Sequence, residues 1–120
     1  MNFVDYLEIE YIKDKDGEIL TRIPIKNYCL NINNIVHGGV IMTLIDTACG
    51  KKASEIFGEV EIVTTEGYTN FLRPAHDTAY LYAKCNVRKK GRHIVNIDCD
   101  VFDDNCKLIA IGRFSFFKPN

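Results

Sequence analysis

Asn31-Ile32-Asn33-Asn34-Ile35-Val36-His37-Gly38-Gly39-Val40-Ile41-Met42-Thr43-Leu44-Ile45-Asp46-Thr47-Ala48-Cys49-Gly50 reads as a polar loop, a His-Gly-Gly entry and then a mostly apolar helix. Val40, Ile41, Leu44, Ile45 and Ala48 recur at helical spacing and make a broad apolar face. Gly39, Met42, Thr43, Asp46, Cys49 and Gly50 fall on a second, small or polar stripe, against which another backbone or a ligand can lie. One carboxylate, Asp46, sits mid-helix among isoleucine, leucine and alanine. A charge there is costly to bury without partners, so it either faces solvent or is kept for a task. The helix is expected from Gly38 to Phe57, stopping at Gly58. Gly38-Gly39 is a poor helix start by propensity. It makes sense where a ligand approaches the first-turn amides, or where the loop needs unusual dihedrals.

The segments around this helix read as strands. Residues 4–12 place Leu7, Ile9 and Tyr11 on one side, and Lys13 to Gly17 make a polar turn. Glu18 to Ile25 returns as a second strand, and Pro24 makes it an edge there or ends it early. After the helix come strands at about 60–72, 79–89, 92–103 and 107–118. Leu81, Ala83, Cys85 and Val87 share one face of the second of these, and Val95, Ile97, Cys99 and Val101 one face of the third. Lys89-Lys90-Gly91 and Asp103 to Cys106 read as hairpin turns. Short connections favour antiparallel neighbours. A helix of about 18 residues spans about 27 Å, and strands of about 10 to 12 residues span roughly 33 to 40 Å. One curved antiparallel sheet of about six strands can therefore wrap the helix, which is an α+β arrangement.

The 120 residues suit a single domain, 1–120, around one core. A net charge of −1 gives no electrostatic reason to expect nucleic acid or an acidic membrane as partner. No apolar run approaches the roughly 20 residues of a membrane span, and the first residues do not read as a signal peptide. Five cysteines, odd in number and without a CxxC or zinc spacing, suggest reduced thiols in a cytoplasmic protein. The three histidines are scattered, so no metal is expected. The only serines, Ser54 and Ser115, lie in no nucleophile elbow, and no dinucleotide or Walker loop is present. Serine hydrolase, dehydrogenase and kinase chemistries fall away. What remains is a carboxylate and a helix N-terminus.

Two motifs carry a family resemblance. Asn-x5-His-Gly-Gly-x6-Asp, here Asn31, His37, Gly38, Gly39 and Asp46, resembles the signature of the hotdog-fold acyl-CoA thioesterases, in the PaaI-like branch. Thr64-Thr65-Glu66-Gly67-Tyr68-Thr69-Asn70-Phe71-Leu72-Arg73-Pro74-Ala75 resembles that family's Thr-x-Glu…Asn-Phe-Leu-Arg-Pro-Ala strand. The resemblance covers the chain from about Tyr28 to its end. One departure is Asn34, where the family often has glycine.

The resemblance implies an acyl-CoA thioesterase with no separate cofactor, CoA being part of the substrate. Thioester hydrolysis needs a nucleophile, either carboxylate or activated water, and a donor for the developing oxyanion. By resemblance Asp46 is the general base or nucleophile, and the Gly38 amide is the oxyanion donor. Thr64 positions water, Asn31 orients the carbonyl or a water, and His37 shapes the loop beside the thioester. Plainer readings stand beside these: Asn31 as a turn former, His37 as a helix entry, Asp46 as a buried hydrogen-bonded residue, Thr64 as a strand former. For CoA phosphate, the candidates are Arg73, the Gly39 amide and the run Arg88, Lys89, Lys90, Gly91, Arg92, which equally reads as a solvated turn. Asp46 lies seven residues past Gly39, so about 10 Å along the axis. Both cannot reach one carbonyl from a single helix, because reacting groups meet within about 3 to 3.5 Å. A homodimer with a shared site follows, and the family implies a dimer of dimers. A non-catalytic acyl-CoA-binding hotdog protein and a hotdog dehydratase or hydratase are the competing readings.

Overall fold

The computed structural model describes residues 1–119. In chain order it holds α1 (Phe3–Tyr6), β1 (Glu10–Lys13), β2 (Ile19–Pro24), a single 3-10 turn (Asn27–Cys29), α2 (Gly38–Ile56), β3 (Val63–Phe71), β4 (Tyr80–Lys90), β5 (Ile94–Phe102) and β6 (Leu108–Phe117). The six strands form one antiparallel sheet in the order β1-β2-β4-β5-β6-β3. The helix α2 packs against β2, β3, β4, β5 and β6. Only a sheet curved around the helix can present so many strands to it, and this is the hotdog fold. Among the described residues, no helix is long and apolar enough to cross a membrane.

The expected apolar face of α2 is the one that seats it. Ile41, Leu44, Ile45 and Ala48 are buried, and the facing strands supply Ile23, Leu81, Val95, Ile97, Val101 and Phe116. Each large aliphatic side chain so buried contributes about 1.5–3 kcal/mol. Cys49, expected on the open stripe, is instead fully buried. The open stripe is therefore shorter: Gly39, Met42, Thr43 and Asp46 are exposed or half-buried. At the far end Gly58 takes φ +91°. The Glu59 amide donates to Ser54 O at 2.7 Å and the Gly58 amide to Glu55 O at 3.1 Å, a Schellman closure that ends the helix where the glycine predicts.

Two expectations are corrected. Residues 4–12 are not one strand. The Asn2 side chain accepts the Asp5 amide at 2.8 Å and starts the short helix α1, and Glu8 at φ 59° breaks any extended run. Leu7 and Ile9 are still buried, so their pattern reported burial and not strand. Second, β3 does not pair with β4, although few residues separate them. It pairs with β6 at the opposite edge. Residues 72–79 make the crossing beneath the loop before α2, where the Val36 amide donates to Ala75 O at 2.9 Å. Pro24 behaves as expected: β1 pairs with β2 only up to Arg22, so Pro24 lies at an open edge and ends its strand.

Gly67 of β3 lies under the Phe114 ring. A Cβ there would come within 2.3 Å of the ring, which must then move. Phe114 is a core side chain, only 5% exposed. Gly67→Ala is expected to destabilise the fold by about 1–3 kcal/mol through overpacking. Urea unfolding checks it: the midpoint falls while the slope stays constant.

Candidate active site

His37 is the N-cap of α2. Its backbone is extended, and its Nδ1 accepts the Gly39 amide at 2.8 Å. That bond requires the ring proton on Nε2. It also uses up the Gly39 amide, so Gly39 supplies no donor to a ligand. The Val40 amide donates to His37 O at 2.9 Å. The Gly38 amide has no acceptor among the described residues. It is thus the open donor of the first turn, at the positive end of a 19-residue helix. A Cβ at Gly38 would lie 3.2 Å from the Phe71 ring, so Phe71 stands directly against this donor.

Two turns further on, the Thr64 hydroxyl donates to Asp46 Oδ1 at 2.8 Å. This bond joins the helix to the edge strand β3. The neighbouring Thr65 hydroxyl turns away to Ser115 O at 3.1 Å, and a β-bulge separates Thr64 from Glu66 in the ladder. Asp46 is half-buried, and its remaining oxygen has no partner among the described residues. Past the bulge, Gly67, Thr69 and Phe71 share a face of β3 with the ring that touches Gly38. Thr69 Oγ1 on that face is buried without a hydrogen-bond partner among the described residues. Neither Thr69 nor Phe71 was singled out by sequence reasoning. Alternation along β3, once its bulge is known, places both.

Asn31 is held by its own loop. Its Oδ1 accepts the Asn33 amide at 2.8 Å and the Ile35 amide at 3.3 Å. Its Nδ2 has no hydrogen-bond partner among the described residues. Asn34 adopts φ 60°, the left-handed conformation that glycine would serve, and asparagine tolerates it better than other side chains. The departure from the family pattern therefore leaves the loop's bend intact.

The basic residues divide between the two ends of α2. Arg73 lies two residues past Phe71, and its amide donates to Ile109 O at 3.2 Å, at the Gly38 end. The run at 88–92 sits at the other end, for Lys90 Nζ lies 5.0 Å from the ring of Phe57, the C-cap of α2. Those ends are about 28 Å apart along the helix. Lys89 and Lys90 belong to β4, and the turn proper is shorter than expected, with the Gly91 amide donating to Ile94 O at 2.7 Å. Arg88 stands 3.9 Å from Asp98.

A hollow of about 580 Å³ lies on the outer face of β3, β5 and β6, between Tyr68, Asp98 and Arg113. A smaller one of about 70 Å³ lies between α2, β2 and β4. Neither contains Asp46. The hydrogen bonds from Arg113 hold the Asp98 carboxyl below its usual range, so an ion pair borders the outer hollow. Linear spacing also hid one cluster: Cys49, Cys85 and Cys99 come together behind α2.

Known proteins share this architecture. The thioesterase superfamily model matches residues 33–110. A candidate esterase of Thermoplasma volcanium is 32% identical over 110 residues, covering 92% of this chain and 80% of its own. A Bacillus halodurans protein solved with CoA superposes with a TM-score of 0.93 at 28% identity, covering 100% of this chain and 80% of its own. The Escherichia coli PaaI protein from the phenylacetic acid degradation operon shares the fold, with a TM-score of 0.85 at 22% identity over 98% of this chain and 83% of its own. This chain belongs to the thioesterase superfamily. It is a hotdog-fold hydrolase acting on thioester or ester bonds.

Proposed function

We propose that the protein hydrolyses an acyl-CoA thioester to the free acid and CoA. The observation that carries this reading is the 2.8 Å bond from Thr64 to Asp46, which orients one carboxylate oxygen and leaves the other open. As general base, Asp46 takes a proton from water, the hydroxide adds to the thioester carbonyl, and the C–S bond breaks as the proton passes to the CoA sulfur. As nucleophile, Asp46 adds to the carbonyl itself and water cleaves the resulting anhydride. After single turnover in labelled water, label found in Asp46 identifies the second route, with water attacking the aspartyl carbonyl of the anhydride.

The oxyanion needs a donor that Asp46's own helix cannot bring. Gly38 is eight residues away, about 12 Å along the axis. The reading therefore pairs Asp46 and Thr64 of one protomer with Gly38 of the partner subunit. The edge of β3 supports this: among the described residues it pairs only with β6, and Val63, Tyr68 and Phe71 on it are exposed. His37 keeps the glycine turn in shape, and the Asn31 Nδ2 faces the carbonyl or its water. Arg73 is the phosphate contact at the Gly38 end. The CoA bound to the Bacillus halodurans relative supports CoA as the leaving group.

Thiol release from short, long and aromatic acyl-CoAs tests the proposal. Turnover on one class supports it and names the acyl group. Tight binding of every acyl-CoA without turnover would overturn it in favour of a binding protein. Thr64→Val removes the hydroxyl but keeps the shape. It is expected to lower kcat by about 10- to 100-fold, the worth of a hydrogen bond to a charged group, with KM little changed.

A further inference from the structure

Three elements that share no sequence neighbourhood meet at sulfur. Cys49 descends from α2, and Cys85 of β4 faces Cys99 of β5 across the ladder. Their Sγ atoms all lie within 4.8 Å of one another, with Cys49 and Cys85 3.7 Å apart. Cys49 and Cys99 are buried and Cys85 is half-buried. The hydrolytic chemistry uses none of them. We propose that Cys49, Cys85 and Cys99 form a three-coordinate thiolate site for copper(I).

Donor chemistry chooses the ion. Sulfur ligands without oxygen or nitrogen select soft ions such as copper(I). Closed zinc sites take four ligands, and among the described residues no fourth Cys, His, Asp or Glu joins the group. Spacing agrees: metal–sulfur bonds of about 2.3 Å in a trigonal plane separate the sulfurs by about 4.0 Å. The site therefore needs no rearrangement of backbone to close on the ion.

Cys85 is the entry ligand. It lines the small notch between α2, β2 and β4, together with Lys51 and Lys52. Copper(I) enters at Cys85, and the three thiol protons leave to solvent as the copper–sulfur bonds form. Neither copper nor sulfur changes oxidation state. The filled site carries net negative charge, which the two lysines at the notch offset. The ion ties α2 to β4 and β5.

The test is anaerobic titration of the reduced full-length chain with copper(I) buffered by a competing chelator. One copper per chain is expected, with a thiolate-to-copper band in the near ultraviolet and a raised melting temperature. X-ray absorption at the copper edge should show three sulfur neighbours. Cys85→Ala and Cys99→Ala should each weaken binding by more than about 100-fold, the upper end of what losing even an outer-shell partner costs. A double variant, Cys29→Ala with Cys106→Ser, should bind as wild type does. Circular dichroism of Cys85→Ala without copper separates a lost ligand from a lost fold, and copper-edge data on wild type stand independently of any variant. No stoichiometric uptake by wild type, equal uptake by folded Cys85→Ala, loss of uptake in the double variant, or zinc displacing copper(I) at equal concentration would each overturn the proposal.

Discussion

Asp46→Asn is expected to lower kcat for acyl-CoA hydrolysis by about 10²- to 10⁴-fold, the range that a positioned general base contributes. The substitution is informative because it changes so little else. Asparagine keeps an oxygen where Asp46 Oδ1 accepts the Thr64 hydroxyl, so the helix-to-β3 bond survives. It also keeps the volume of a half-buried side chain, so melting should move little. What disappears is the ability to take a proton or attack a carbonyl. Both belong to the transition state and not to substrate binding, so kcat should fall with KM nearly constant. Steady-state thiol release, with acyl-CoA affinity measured alongside, checks this. Equal turnover in both proteins would mean that the chemistry lies elsewhere on the chain.

The helix that carries Asp46 was legible in the sequence because local physics specifies it. Ile41, Leu44, Ile45 and Ala48 repeat at its period, and glycines mark both its ends. The strands of β4 and β5 were legible for the same reason, their inward and outward residues alternating cleanly. The partnership of Asp46 with Thr64 was legible only through the family motif, since nothing local ties residues 18 positions apart. Register and crossing were not legible. The pairing of β3 with β6 depends on how the sheet curls around α2, and that is a property of the whole core. The cysteine trio escaped for a related reason, because three separate elements assemble it. His37 is an intermediate case. A histidine before two glycines was readable as a helix entry, but only the geometry shows that its ring takes the Gly39 amide and leaves Gly38 as the open donor.

Gly38→Pro is expected to cost about 10²- to 10³-fold in kcat, the usual effect of deleting one oxyanion donor. Few positions allow so clean a deletion of a backbone N–H. Gly38 is the first residue of α2, where proline is well tolerated because that N–H makes no intrahelical bond. The preceding residue must be extended, and His37 already is, at φ −63° and ψ 135°. Gly38→Ala is the companion variant: it adds the Cβ that meets Phe71 at 3.2 Å but retains the N–H. If the donor matters, alanine is mild and proline severe; if only space matters, the two behave alike. The pair of variants also tests whether the site is shared. A purified heterodimer of one Gly38→Pro chain and one Asp46→Asn chain joins the intact Gly38 of the second chain to the intact Asp46 of the first. It should regain about half of the wild-type activity per dimer, one of its two symmetry-related sites being whole. A site contained within one protomer predicts no recovery at all, because each chain then carries its own defect. Recovery thus requires that the roughly 12 Å separating Gly38 from Asp46 along α2 be bridged by the second subunit.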